Sequence, residues 1–189
     1  MRWISRALFL IGFAALSYSV GSVIDAELYQ RQLRHAFEQQ RQSPPKAVRS
    51  ADEPFIENIE IPKIGLSVMI SDGIDKKTLR RAVGHVPGTA LPGDTGNAAL
   101  AAHRDTFFRN LGSVAKGDDI IVNTRRGTFR YVVKSTEIVR PNAVRVLRQT
   151  PSPELTLITC YPFYYIGPSP KRFIVHAVLS SPRGQIANK

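Results

Sequence analysis

The chain has a single cysteine, one tryptophan and two methionines among its 189 residues, and it is short of acid, with 15 Asp and Glu against 26 Lys and Arg. One cysteine excludes an internal disulfide framework, so a hydrophobic core has to hold the fold. Material for that core is present: 43% of the residues are hydrophobic, which excludes disorder throughout. The excess of base, net +11, is spread along the chain with no dense block. It suits a solvated basic surface, or an anionic neighbour such as nucleic acid or a charged membrane or wall. No internal repeat and no low-complexity segment occurs.

One long uncharged run stands out. Residues 7–24 carry no charge, with Arg2 and Arg6 before them and Asp25 and Glu27 after them. As a helix this run is ~27 Å long, close to the hydrocarbon thickness of a bilayer. The flanking charges place residues 1–6 in the cytoplasm as a short tail and the bulk of the chain outside. A cleavable signal peptide is the rival reading. Small residues suited to a cleavage site are poorly placed, although Ser17, Ser19, Gly21 and Ser22 weaken the run. The uncleaved anchor is adopted. Export argues against nucleic acid as partner, and it makes an unpaired Cys160 unusual: structural cysteines outside the cell come in pairs.

Residues 25–42 are polar and free of Gly and Pro, with Ala26, Tyr29, Leu33, Ala36 and Phe37 recurring at helical steps. This helix either packs on the following domain or lifts it off the membrane as a stalk, and the stalk is the safer choice. Ser43-Pro44-Pro45 stops it, and residues up to 54 read as linker. The folded domain is then expected at 55–183, with a tail at 184–189.

Within that domain, residues 59–61, 64–66 and 68–70 read as short strands, and Pro62 argues against a central position. A short helix is expected at 75–83, an ordered loop at 87–96, and a small-residue strand from Asn97 leading to His103. Arg125-Arg126-Gly127 reads as a hairpin turn between strands at 120–123 and 128–139. Strands at 155–160 and 171–179 complete the set. Short strands, Gly/Pro-rich turns and little helix indicate an all-β barrel or sandwich.

Cys160 ends one strand and Arg172 opens the next. Alternation puts Phe173, Val175, Ala177 and Leu179 on one apolar face and Arg172, Ile174 and His176 on the other. His176 lies ~13 Å from Arg172 along an extended strand, too far to share its site. His35 falls in the stalk, and His85 sits in a turn where an imidazole satisfies loop backbone. His103, at the start of a loop, is left as partner for Cys160. A thiol reacts as the thiolate, which a nearby imidazole and guanidinium favour. A buried core cysteine beside unrelated polar residues is the competing reading.

Thr156-Leu157-Ile158-Thr159-Cys160 resembles the Thr-Leu-x-Thr-Cys signature of sortases, the membrane-anchored cysteine transpeptidases of bacterial surfaces. Cys160-Tyr161-Pro162-Phe163-Tyr164-Tyr165-Ile166-Gly167 followed by Pro170-Lys171-Arg172-Phe173 resembles the class D branch, as do the runs 84–90 and 103–108. The similarity covers about residues 59–179 with its motifs in the same order. It implies a closed eight-stranded β-barrel, with Cys160 ending the penultimate strand and Arg172 opening the last.

The resemblance also implies a reaction. Cys160 attacks the Thr–Gly or Thr–Ala bond of a Leu-Pro-x-Thr-Gly-like sorting signal on a secreted protein, and an amine of a cell-wall precursor or second protein resolves the thioacyl-enzyme. His103 is implied as acid/base, Arg172 as oxyanion donor, and Thr159 and Tyr161 as contributors to the substrate groove, with 161–170 forming one wall. No cofactor and no metal is implied, and no clustered carboxylates offer a calcium site. Sortases usually carry glycine before the catalytic histidine, whereas here Ala101-Ala102 precede His103. An L,D-transpeptidase, which expects a Ser-x-Gly-Cys-like run, and a membrane-tethered binding module with an inert thiol are the alternatives.

Overall fold

The structure, a computed structural model, describes residues 2–42 and 56–183. Among these residues eight strands follow one another as β1 (Ile56–Ile61), β2 (Leu66–Asp72), β3 (Val83–His85), β4 (Asn97–Ala101), β5 (Asp119–Thr124), β6 (Gly127–Val139), β7 (Glu154–Tyr161) and β8 (Lys171–Arg183). They close into a barrel in the order β1-β2-β3-β4-β7-β8-β6-β5, with β5 returning to β1. Closure removes every sheet edge.

Alternation decides which side chains fill the barrel. Ile59 and Ile61, Ile120 and Val122, Leu155 and Leu157, and Val175 and Ala177 point inward from their strands and share one buried cluster with Tyr131 and Val133. β1 stops at Pro62, which has no N–H to donate and opens a 3-10 turn. Gly65 ends that turn at φ 63, and its N–H bonds the Pro62 carbonyl at 3.1 Å. The long β6 shifts register at Arg130/Tyr131 and again at Val133/Ser135, and such bulges bend a strand around a barrel.

Several expectations change. The helix expected at 75–83 is shorter: α2 (Lys76–Arg81) is capped by Asp75, whose side chain accepts from the N–H groups of Lys77 and Thr78. Val83 to His85 then form β3, pairing in parallel with β2 and antiparallel with β4. The four-residue step from Leu79 to Val83 mimics a helix, but Val83 belongs to the barrel core. His85 is accordingly a strand residue, buried, with Nε2 3.0 Å from the Ala90 carbonyl and Nδ1 3.2 Å from Asp72. It does satisfy loop backbone. The segment around Ile64 is the 3-10 turn, with β2 starting only at Leu66.

Ahead of the barrel, α1 (Arg2–Gln42) is one unbroken helix. Its apolar stretch is long enough to cross a bilayer and is not buried against the rest of the chain. Its second half packs on the barrel instead of standing off as a stalk. Leu33 and Phe37 are buried with Met69 of β2 and Ala82, flanked by Tyr29 and Ala36, all on the face that the helical spacing marks out. Buried Gln30 donates to the Arg81 carbonyl at 2.6 Å and accepts from the Met69 N–H at 2.8 Å. Arg81 returns a two-pronged ion pair to Asp25, both contacts 2.6 Å. The linker expected at 43–54 and the tail at 184–189 lie outside the described residues.

On the outer surface, Ile174 is buried with Val139 and Val146 under the 3-10 turn 144–147. Beside it Glu137 accepts from Arg145 and from His176, the latter at 2.9 Å. The Arg145 hydrogen bonds hold the Glu137 carboxyl below the usual carboxylate range, desolvation opposes them, and His176 assists.

Two stability outcomes follow from these contacts. Gln30→Ala leaves two backbone groups of the α1 contact without partners and is expected to cost about 2–3 kcal/mol in chemical unfolding. Amide exchange should accelerate across 25–42 first, with β6 and β8 keeping their protection. Glu137 has a depressed folded-state pKa, so its contribution is present above the unfolded value near 4 and disappears as pH falls through the folded value. Glu137→Gln should therefore lower the Tm at neutral pH and leave it unchanged at a pH below both values, read by thermal melts across that range.

Candidate active site

β7 lies between β4 and β8, parallel to the first and antiparallel to the second. Cys160 is directly opposite Arg172 in the β7–β8 register. On the other side, Ala101 pairs with Ile158, and the Ala102 N–H continues the ladder to the Ile158 carbonyl at 3.2 Å. Carrying that register forward by two residues sets His103 alongside Cys160. Neighbouring strands are about 4.8 Å apart, so Arg172 is the immediate cross-strand neighbour of the cysteine, and the extended register points His103 to its other side.

The pleat places all three on one face. Leu100 and Ala102, Leu155 and Leu157, and Phe173 and Val175 point into the core. His103, Cys160 and Arg172, each one residue out of step, point outward. All three are half-buried. Arg172 donates from Nη1 to the Lys171 carbonyl at 2.9 Å and the Ser169 carbonyl at 3.3 Å, which orients its guanidinium over the strand start. The β7–β8 register thus pairs Cys160 with Arg172, and the turn after β4 starts with His103 at the same barrel end. His176, paired with Glu137, lies four residues along β8, and His35 is exposed on α1.

Thr159 and Tyr161 are turned inward. The Thr159 hydroxyl is buried and donates to the Ala102 carbonyl at 2.8 Å, tying β7 to the residue before His103. The Tyr161 ring stacks on Phe173 with centroids 6.4 Å apart and meets Phe163 edge-on at 5.9 Å. Ala102 itself is buried in the main core, so its methyl group fills barrel space and does not narrow the outer face.

One residue without a role in the sequence reading stands out. Arg104, next to His103, donates to three carbonyls of the β7–β8 loop: Pro162 at 2.7 Å, Tyr165 at 2.8 Å and Gly167 at 3.2 Å. Its guanidinium also lies over the Tyr165 ring, 5.6 Å from the centroid. The same two segments meet again where Phe163 covers Gly112; a Cβ at 112 would come within 2.6 Å of that ring. A cleft of about 950 Å³ borders the 103–110 turn, walled by Tyr18, Gly21, Ser22 and Glu27 of α1 and by His103, Asp105 and Phe107. Among the described residues, no three His, Cys, Asp or Glu side chains cluster closely enough to hold a metal ion.

Residues 59–180 match the sortase domain model. The chain belongs to the sortase family. Sortase D of Bacillus subtilis (strain 168) is 39% identical over 119 residues, 62% of this chain and 60% of that protein. Sortase A of Bacillus anthracis is 28% identical over 64% of this chain and 57% of its own length. This sortase therefore spans less than two thirds of those curated relatives. A solved Clostridium perfringens sortase D5 transpeptidase superposes with a TM-score of 0.70 at 26% identity, over 81% of this chain and 99% of that one. Sortase C-1 from Actinomyces oris gives 0.62 at 29% identity, over 78% and 95%.

Arg104→Ala should free the β7–β8 loop of this sortase: amide exchange across 163–168 is expected to accelerate at least about tenfold, the loss of one or two charge-assisted hydrogen bonds. Arg104→Lys should not restore it, because one ammonium cannot reproduce the guanidinium fork.

Proposed function

We propose that the protein is a membrane-anchored cysteine transpeptidase that cleaves a Leu-Pro-x-Thr-Gly or Leu-Pro-x-Thr-Ala sorting signal of secreted proteins and transfers them to an amine at the cell surface. The observation that supports this reading most is the pairing of Cys160 with Arg172 at the end of β7 in a sortase barrel, where the chain leaving β4 also reaches His103. Thiol and guanidinium come from the adjacent strands β7 and β8, and the imidazole from the turn that follows β4.

The chemistry runs in two halves. The Cys160 sulfur, as thiolate, adds to the threonine carbonyl of the signal, and the developing oxyanion accepts hydrogen bonds from Arg172. His103, as imidazolium, gives its proton to the departing amine as the C–N bond breaks, leaving a thioester. An incoming amine then attacks the same carbonyl and loses its proton to His103. The thiolate departs, the new amide is released, and the starting protonation states return. Arg172 keeps Nη1 on its own turn while its remaining N–H groups face the substrate. Thr159 holds the His103 turn beside β7, and Tyr161 seats the loop that forms the groove wall. Residues 7–24 supply the anchor, with the N-terminus cytoplasmic and the barrel outside.

The test is turnover of a quenched Leu-Pro-x-Thr-Gly/Ala peptide by the full chain in detergent. A thioester should accumulate and yield to hydroxylamine, and Cys160→Ala should abolish turnover. His103→Ala and Arg172→Ala should each lose at least about a hundredfold in kcat/KM. Normal rates in either variant would remove its assigned role. Equal cleavage of an unrelated peptide would point to a general peptidase.

A further inference from the structure

Among the described residues outside α1, two large hydrophobic side chains stand almost wholly in solvent: Tyr164 is 94% exposed and Ile166 is 101% exposed. They form the tip of the β7–β8 loop, beside half-exposed Tyr165. A tip of this kind costs free energy in water and is the sort of surface that meets a partner.

The course of α1 indicates which partner. Its Leu33 and Phe37 lie over Met69 of β2 and Ala82, just ahead of β3. Further toward its N-terminus, Tyr18, Gly21 and Ser22 face the turn after β4 across the cleft. The cleft also takes in Ile64, Gly65 and Leu66 of the β1–β2 turn, so the helix passes the barrel end where β2 starts and β4 finishes, the end from which the β7–β8 connection also projects. Residues 18–27 share that cleft with His103, Asp105 and Phe107, so the end of the uncharged run at Ile24 is level with the His103 turn. If residues 7–24 occupy the bilayer, its surface passes beside this turn.

We propose that the β7–β8 loop is a second membrane contact, with Tyr164 and Ile166 entering the interfacial layer of the leaflet from which α1 emerges. The proposal rests on the anchor reading above. Three features fit a lipid surface. Tyrosine favours the membrane–water boundary, where its ring is sheltered and its hydroxyl stays wet. Lys171, Arg140 and Arg109 are exposed on the loop's own barrel end or on the His103 turn and suit anionic headgroups.

The third feature is the backbone. Irregular backbone enters a water-poor layer only when its polar groups are paired. Arg104 pairs the carbonyls of Pro162, Tyr165 and Gly167, on both sides of the exposed tip. The Ser169 hydroxyl pairs that of Tyr161 at 2.5 Å. The same strap that fixes the groove wall thus prepares the tip for lipid. The consequence is an active-site mouth that opens along the bilayer surface, within reach of a peptide still tethered to that leaflet.

The test uses the full chain in vesicles of phosphatidylglycerol and phosphatidylcholine, some carrying a nitroxide on the acyl chain near the headgroup. An environment-sensitive fluorophore is attached to Ile166→Cys in a Cys160→Ala background. Two reference labels share that background: Phe13→Cys within the span, and Ser152→Cys ahead of β7, at the end of the strand remote from Cys160. Emission at 166 should shift to the blue and be quenched at least about fivefold more than at 152, as for a residue in the interfacial layer. Quenching at 13 with a water-like signal at 166, equal to that at 152, overturns the loop contact and leaves the anchor standing. A water-like signal at 13 overturns the anchor, and the loop contact with it.

Discussion

The pairing of β7 with β4 on one side and β8 on the other is the constraint on which the candidate site depends. Side chains alternate along each strand, so a strand whose odd positions fill the core must send its even positions outward. Leu155, Leu157 and Thr159 are committed to the interior, and Cys160 is thereby committed to the outside. The same rule, applied to Leu100 and Ala102 and to Phe173 and Val175, turns out His103 and Arg172. A slip of one residue in either pairing would exchange core and site together, so burial of the core enforces the geometry of the site. The Thr159 hydroxyl on the Ala102 carbonyl pins the register where β4 ends and its ladder with β7 runs out.

Around this rigid centre the connections are fastened by a few polar contacts. Arg104 joins the His103 turn to the β7–β8 loop, Phe163 seats that loop against Gly112 and the aromatic pair Tyr161 and Phe173, and Ser169 closes its far end. Loops that carry function are set on a scaffold in this way, with the backbone held and the tip exposed. α1 adds a third wall. Its docked half is held through Gln30, Asp25, Leu33 and Phe37, and its uncharged half continues past the site without barrel contacts that bury it. One helix therefore both packs on the sortase barrel and walls one side of the cleft.

Much of this arrangement was legible in the sequence because it rests on local patterns. The uncharged run 7–24, the apolar face through Tyr29, Leu33, Ala36 and Phe37, the alternation in β6, β7 and β8, and the turn at 125–127 all follow from periodicity and composition within short windows. So does the outward direction of Arg172 relative to Phe173. The lone cysteine at a strand end and the sortase-like motifs around it carried the candidate triad.

What the tertiary structure alone decided are the choices of partner between distant segments. β3 is three residues long, too short for any period to declare itself, and it exists because Ile70 and Leu100 lie on either side to pair with it. The docking of α1 depends on a complementary patch at Met69 and Ala82, and its own pattern serves a free stalk equally well. Arg104 finds carbonyls 58 to 63 residues away, which no local signal records. Hydrophobic periodicity is a property of one element, whereas closure, docking and hydrogen-bond pairing belong to the packed whole.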